Sequence, residues 1–164
     1  MRQARLVPLL ILAASVVVVG GALLSQYVGG LQPCELCLYQ RWPYYAAIVL
    51  TGGAAALGRQ EATRAVVALC ALLFLAGGVV AFYHVGVEQK WFAGPTACTA
   101  PSLTGGSIAD LKAQLLATPP VRCDEVQWSL FGISLAGWNL LASFVLVIFC
   151  VAALLRPGYR MRAA

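Results

Sequence analysis

Along this chain, long apolar stretches alternate with short polar ones. Four stretches stand out, over about 6–28, 42–57, 65–87 and 131–155. An apolar run of about 18 or more residues with almost no charge predicts a membrane-crossing helix. The second run is the shortest: at about 1.5 Å per residue it covers roughly 24 Å of a ~30 Å hydrocarbon core, so this span is predicted to begin earlier, near Leu38. The predicted fold class is an all-α membrane protein, a four-helix transmembrane bundle forming one domain over residues 1–164, with spans at about 6–28, 38–57, 65–87 and 131–155.

Two polar segments, about 29–37 and 88–130, connect the spans on one side of the membrane. The longer one contains "SIADLKAQLLA", which places Ile108, Leu111, Leu115 and Leu116 on one helical face. It predicts a short amphipathic helix, too short to span, that lies on the membrane surface or against the end of the bundle. The N-terminus begins like a signal peptide, with Arg2 and Arg5 ahead of apolar sequence, but lacks a convincing small-x-small cleavage site, so an uncleaved helix is expected.

Composition agrees with a bilayer setting. Hydrophobic residues make up 61% of the 164, charged residues 10%, and mean hydropathy is +0.83. The net charge of +5 comes largely from arginines: Arg2, Arg5, Arg59, Arg64, Arg156, Arg160 and Arg162 flank the N-terminus, the connection between spans two and three, and the C-terminus. The positive-inside rule therefore places both termini in the cytoplasm and segments 29–37 and 88–130 outside. The charge reads as topology, and no basic surface interleaved with aromatics indicates a nucleic-acid partner.

The six cysteines sort by depth. Cys70 and Cys150 fall within spans, where a thiol behaves as a small apolar group. Cys34, Cys37, Cys98 and Cys123 all fall in the two outer segments, two in each. In a bacterium that side is the oxidising periplasm, where disulfides persist, and one disulfide within each segment is expected, although four cysteines permit three pairings.

The motif "CELCLYQR" allows several readings. A c-type haem needs histidine directly after the second cysteine, where Leu38 stands. Zinc would need four ligands such as Cys34, Cys37, Cys98 and Cys123, but structural zinc sites usually pair two tight knuckles, so no metal is expected. A purely structural pair of disulfides in a non-enzymatic four-helix protein is the competing interpretation. A two-residue spacer is a poor staple, however, because chain-entropy stabilisation grows with loop length, whereas Cys-x-x-Cys rings favour lowered thiol pKa and exchange chemistry. Arg41 follows Cys37 by one helical turn, and a permanent cation beside a helix N-terminus favours the thiolate. Glu35, between the cysteines, opposes that effect and has no evident role.

A thiol pair at a membrane needs a two-electron acceptor. There is no nucleotide-binding glycine fingerprint, and a quinone can reach the bundle through the bilayer. Two cysteine pairs at two depths suit a relay by thiol–disulfide exchange.

The chain resembles the DsbB family of bacterial membrane thiol:quinone oxidoreductases. The likeness rests on four spans, "CELCLYQR" at the head of the second, "YHVGVE" at the end of the third, then Cys98, and "CDEVQWSLFGISLAGWNL" leading into the fourth. It implies an inner-membrane enzyme that reoxidises a periplasmic DsbA-like thioredoxin-fold partner, with ubiquinone or menaquinone as diffusible acceptor. By that resemblance Cys98 takes the partner's attack, Cys123 then attacks Cys34, and Cys37 as thiolate engages the quinone. Arg41 would stabilise that thiolate and polarise a quinone oxygen. His84 would be a quinone contact or, alternatively, an interfacial histidine bonded to Glu88 or to a backbone carbonyl. The tryptophans Trp42, Trp91, Trp128 and Trp138 fall near the outer ends of spans, as an aromatic belt would place them.

Overall fold

A computed structural model describes residues 2–57, 60–95, 107–109, 112 and 121–156. Among them are four long helices, α1 (Arg2–Tyr27), α2 (Glu35–Leu57), α3 (Gln60–Glu88) and α4 (Leu135–Leu155), with a two-stranded hairpin of β1 (Ser129–Leu130) and β2 (Ile133–Ser134) before the last. Helix α3 packs against both α2 and α4, and α1 rests chiefly on α2. Cys98 and most of the predicted amphipathic helix lie outside the described residues.

Among the described residues, three segments are long and apolar enough to cross a membrane: Leu6–Tyr27, Ala62–Glu88 and Leu135–Leu155. Helix α2 matches them in length but carries Gln40, Arg41, Tyr44 and Tyr45 in its first half, which lowers its hydropathy. Those polar groups are not scattered. Leu36, Gln40, Tyr44, Ala47, Thr51 and Ala54 recur every three or four residues and form the buried stripe of α2. Helix α4 buries Ala136, Ser143, Leu146, Cys150 and Ala153 in the same way, while Phe144, Val145 and Ile148 are exposed. Both helices turn small or polar side chains inward and large apolar ones outward, the arrangement suited to a hydrocarbon surround.

The core is a column of Ile11, Tyr44, Val67, Cys70, Phe74 and Cys150, all almost fully buried. Cys70 and Cys150 thus pack as apolar side chains. A second, smaller cluster of Cys34, Leu36, Val87 and Cys123 closes one end of the bundle.

The helix ends are determined locally. Helix α3 stops in a Schellman motif: the Trp91 N–H donates to the Gly86 carbonyl and the Lys90 N–H to the Val87 carbonyl, with Lys90 in the left-handed region at φ 61°. Helix α4 starts at Leu135, and residues 131–134, apolar enough to read as part of the span, belong to the hairpin instead. Phe131 and Gly132 turn it with φ of 53° and 78°, both positive as a type I′ turn requires. Ser134 then caps α4, its Oγ accepting from the Gly137 N–H at 3.1 Å.

Close approach of α3 to its neighbours depends on two glycines. A Cβ on Gly77 would stand 3.0 Å from the Pro43 side chain of α2, and one on Gly78 would stand 3.4 Å from Ser143 of α4. Gly77→Val should therefore wedge α2 from α3 and lower unfolding stability in detergent by about 1–3 kcal/mol, the usual cost of overpacking. Gly53→Ala, with nothing within 4 Å of the new Cβ, should leave the unfolding midpoint unchanged or slightly raised.

Candidate functional site

The site lies at the bundle end where α2 starts and α3 stops. Pro33 cannot donate a backbone hydrogen bond, and Cys34 follows it as the residue immediately before α2. From that cap position the Cys34 sulfur accepts the Cys37 N–H at 3.3 Å, as a serine or aspartate oxygen does at other helix starts. One turn of helix then brings the Cys37 sulfur to 2.8 Å from that of Cys34. The two-residue spacing alone produces this pairing.

Tertiary packing supplies the other neighbours of Cys34. Its sulfur stands 3.6 Å from His84 Nε2, and the Cys34, Cys123 and His84 donor atoms all lie within 4.8 Å of one another. Cys34 is 3% exposed, His84 3% and Cys123 0%, whereas Cys37 is half-buried and faces a cavity. Cys34 thus neighbours both Cys37 and Cys123. Cys123 is held there by its neighbour: Asp124 accepts from Lys90 Nζ at 2.7 Å and from Arg122 Nη2 at 2.8 Å. These hydrogen bonds, from Arg122 first and Lys90 second, keep the Asp124 carboxyl well below the usual carboxylate range.

The two thiols of the pair are displaced in opposite directions. The Cys37 thiol is pushed below its ordinary value, first by the hydrogen bond from Cys34 and also by the charge of Arg41. The Cys34 thiol is pushed up by serving as that donor and by burial. Cys37 is therefore the more readily ionised of the two.

Arg41 lies on the same cavity but does not bond Cys37 directly. Its Nη1 donates to Gln26 Oε1 at 2.6 Å and its Nη2 to the Ala22 carbonyl at 3.4 Å, tying α2 to the end of α1. Its effect on Cys37 is that of a nearby charge. Glu35 is exposed and accepts from Tyr39 Oη at 3.0 Å, one turn along the outer face. There it suits the positive end of the helix dipole.

The cavity has a volume of about 590 Å³ and opens between α1, α2 and the start of α4. Cys34, Cys37, Arg41 and His84 reach it, Val17, Val18 and Trp138 give it apolar walls, and Asn139 adds an amide. Such a mostly apolar cleft with a few convergent polar groups is the ordinary form of a small-molecule site. Of the four tryptophans, Trp128 and Trp138 line it.

His84 is buried beneath the cysteines, with Gln40 Nε2 at 2.7 Å from its Nδ1, Glu88 Oε1 at 4.0 Å from its Nε2 and a hydrogen bond to the Cys123 backbone. Glu88 in turn accepts from Ser134 Oγ, the cap of α4. Gln26 joins the site from outside the quoted motifs, and Gln40, Ser134 and Asn139 join it from within them although the sequence assigns them no role. The available signal was the presence of Gln40 and Asn139 within otherwise apolar helices, since polar groups at membrane depth mark function by default.

Two measurements follow from this geometry. The alkylation rate of Cys37 should rise with a midpoint below the ordinary thiol value of about 8.5, and Arg41→Leu should move that midpoint upward. Asp124→Asn should loosen the Cys123 segment, so that maleimide labelling of Cys123 speeds up several-fold. In the unmutated protein the same loosening should appear only in acid, because a carboxyl with a depressed pKa keeps its interactions until the pH falls through that lowered value.

The family model described as "Disulfide bond formation protein DsbB" matches residues 4–153. Disulfide bond formation protein B 1 of Pseudomonas aeruginosa is 33% identical over 153 residues, covering 90% of this chain and 93% of the relative. Disulfide bond formation protein B of Burkholderia thailandensis is 30% identical over 172 residues, covering 98% and 95%. The protein of the same name from Aromatoleum aromaticum is 30% identical over 154 residues, covering 84% of each. No solved structure matches the chain. The family match across nearly the whole length, together with the cysteine cluster at the bundle end, establishes that this chain belongs to the disulfide bond formation protein B family of membrane proteins.

Proposed function

We propose that this chain is a protein-disulfide:quinone oxidoreductase that reoxidises a DsbA-like thioredoxin-fold dithiol and passes its two electrons to ubiquinone or menaquinone in the membrane. In this reading α2 is the fourth span. Both termini face the cytoplasm of a bacterial inner membrane, and segments 29–37 and 88–130 face the periplasm. The arginine distribution and the inward polar stripe of α2 support that placement.

The observation that carries the proposal is the buried Cys34 sulfur standing between the Cys37 sulfur at 2.8 Å and Cys123, on a cavity lined by Arg41. Starting from disulfides Cys34–Cys37 and Cys98–Cys123, a partner thiolate attacks Cys98, forming a mixed disulfide and releasing Cys123 as thiolate. Cys123 attacks Cys34, forming the Cys34–Cys123 bond and releasing Cys37. The partner's second thiolate resolves the mixed disulfide, leaving the partner oxidised and Cys98 free. Cys98 then attacks Cys123, restoring Cys98–Cys123 and leaving Cys34 and Cys37 reduced. Each exchange breaks one disulfide and forms one, so two electrons and two protons reside on the Cys34/Cys37 pair.

A quinone bound in the cavity supplies the oxidant, taking two electrons and two protons to become a quinol. The chain's own residues prepare that step. Cys37 presents a thiolate to the cavity, Arg41 adds positive charge beside it, the apolar walls accept a ring and exclude water, and Cys34 is poised to close the disulfide as the electrons leave.

Mixing the purified protein with ubiquinone and a reduced thioredoxin-fold dithiol should give one quinol for each partner disulfide formed, followed by quinone absorbance. Cys37→Ser should abolish it. Arg41→Leu should lower turnover per quinone concentration roughly 10- to 100-fold, as expected on losing an interaction with a charged group. Absence of quinone reduction, or reduction that survives Cys37→Ser, would leave a non-enzymatic protein with stapled loops as the better reading.

A further inference from the structure

Five polar side chains of α2, α3 and α4 form a single line. Tyr44 Oη donates its one proton to Asn139 Oδ1 at 2.7 Å, so the Ser143 Oγ at 2.9 Å must be the donor to Tyr44. Asn139 Nδ2 donates to Gln40 Oε1 at 2.6 Å, and Gln40 Nε2 donates to His84 Nδ1 at 2.7 Å. An imidazole whose Nδ1 accepts carries its proton on Nε2, and that side of the ring meets the Cys34 sulfur at 3.6 Å, Glu88 Oε1 at 4.0 Å and the Cys123 backbone. Cys34 in turn lies 2.8 Å from Cys37. Gln40 is 5% exposed, and Tyr44 and Ser143 are each 1% exposed, so water does not compete for most of these bonds.

We propose that Gln40 is a positioning residue that, oriented by Asn139 and Tyr44, holds His84 as its Nε2–H tautomer, so that an unbroken succession of donors runs from Ser143 to the Cys37 sulfur. Every proton in the line points the same way, and its terminus is the sulfur facing the cavity. The inference deepens the proposed redox role of that sulfur and rests on it for its purpose, but not for its structure.

The polarity also decides between two uses of the same atoms. Cys34, Cys123 and His84 bring three soft donors within 4.8 Å of one another, the spacing of a metal cluster. A ligating histidine needs a bare nitrogen toward the metal and its proton on the far nitrogen, bound to an acceptor. Gln40 imposes the reverse, placing N–H toward the sulfurs. His84 therefore acts as a hydrogen-bond donor to sulfur, steadying negative charge on the pair.

The sequence contains one histidine, which makes the tautomer directly measurable. In reduced, quinone-free protein labelled with 15N-histidine, Nε2 should show the proton-bearing resonance, correlated with both ring carbon-bound protons, and Nδ1 the bare one. The opposite assignment overturns the proposal. Gln40→Glu replaces the donor with a carboxylate that only accepts, so it should switch His84 to the Nδ1–H form. Gln40→Leu removes the donor without adding charge and should give a mixture of tautomers. Both should slow Cys37 alkylation at neutral pH by roughly two- to tenfold, the worth of one neutral hydrogen bond. An unchanged tautomer in Gln40→Glu, or slowing by glutamate but not by leucine, also overturns it. None of these readouts uses partner or quinone, so an inactive relay with the expected tautomer would refute the redox assignment alone.

Discussion

The sulfur of Cys34 is the point on which the site is built. It caps α2 by accepting the Cys37 N–H, touches the Cys37 sulfur, and meets His84 from α3 and Cys123 from the segment before the hairpin. Each contact has a different structural origin: a helix start, a one-turn spacing, and two tertiary approaches. Displacing this sulfur would uncouple the pair on α2 from the cysteine that reaches it out of the longer segment. Cys34 is 3% exposed, so its neighbours are the protein's own groups, while half-buried Cys37 borders the cavity.

A bundle with an apolar exterior bears a cost for each polar side chain it encloses. An unpaired buried hydroxyl or amide is penalised by about 1–3 kcal/mol, so such groups occur where they bond one another. Here Ser143, Tyr44, Asn139, Gln40 and His84 satisfy that requirement collectively, each using the next. Gly77 and Gly78 matter to the same arrangement, because they let α2 and α4 approach α3 closely enough for Tyr44 and Ser143 to meet. Packing by small residues and recognition by polar ones are thus two parts of one solution.

The connections are fastened to the same end of the bundle. Lys90, in the left-handed turn that ends α3, reaches Asp124 beside Cys123, and Glu88 at the last turn of α3 holds the Ser134 cap of α4. Exposed ion pairs such as Lys90–Asp124 add little to global stability, commonly under about 1 kcal/mol. Their consequence is positional: the end of α3 orients the Cys123 segment and the entry to α4.

The amino-acid order by itself determined the long helices, because runs such as 6–28 and 65–87 leave a membrane helix as the natural way to satisfy their backbone. It also determined the Cys34–Cys37 pairing and the placing of Arg41 one turn later, since both depend only on helical periodicity. It did not disclose the hairpin, whose turn puts Phe131, an ordinary L-residue, in a conformation that glycine or asparagine would have advertised. It did suggest Glu88 beside His84, one turn along the same helix, but not the role of Arg41 in joining α2 to Gln26, nor the amides that orient the imidazole. Gln40 and Asn139 lie 44 residues before and 55 after that histidine. No local pattern connects positions so far apart. Only the packing of α2, α3 and α4 brought their amides and the imidazole together, and a hydrogen bond acquires its direction only when both partners are in place.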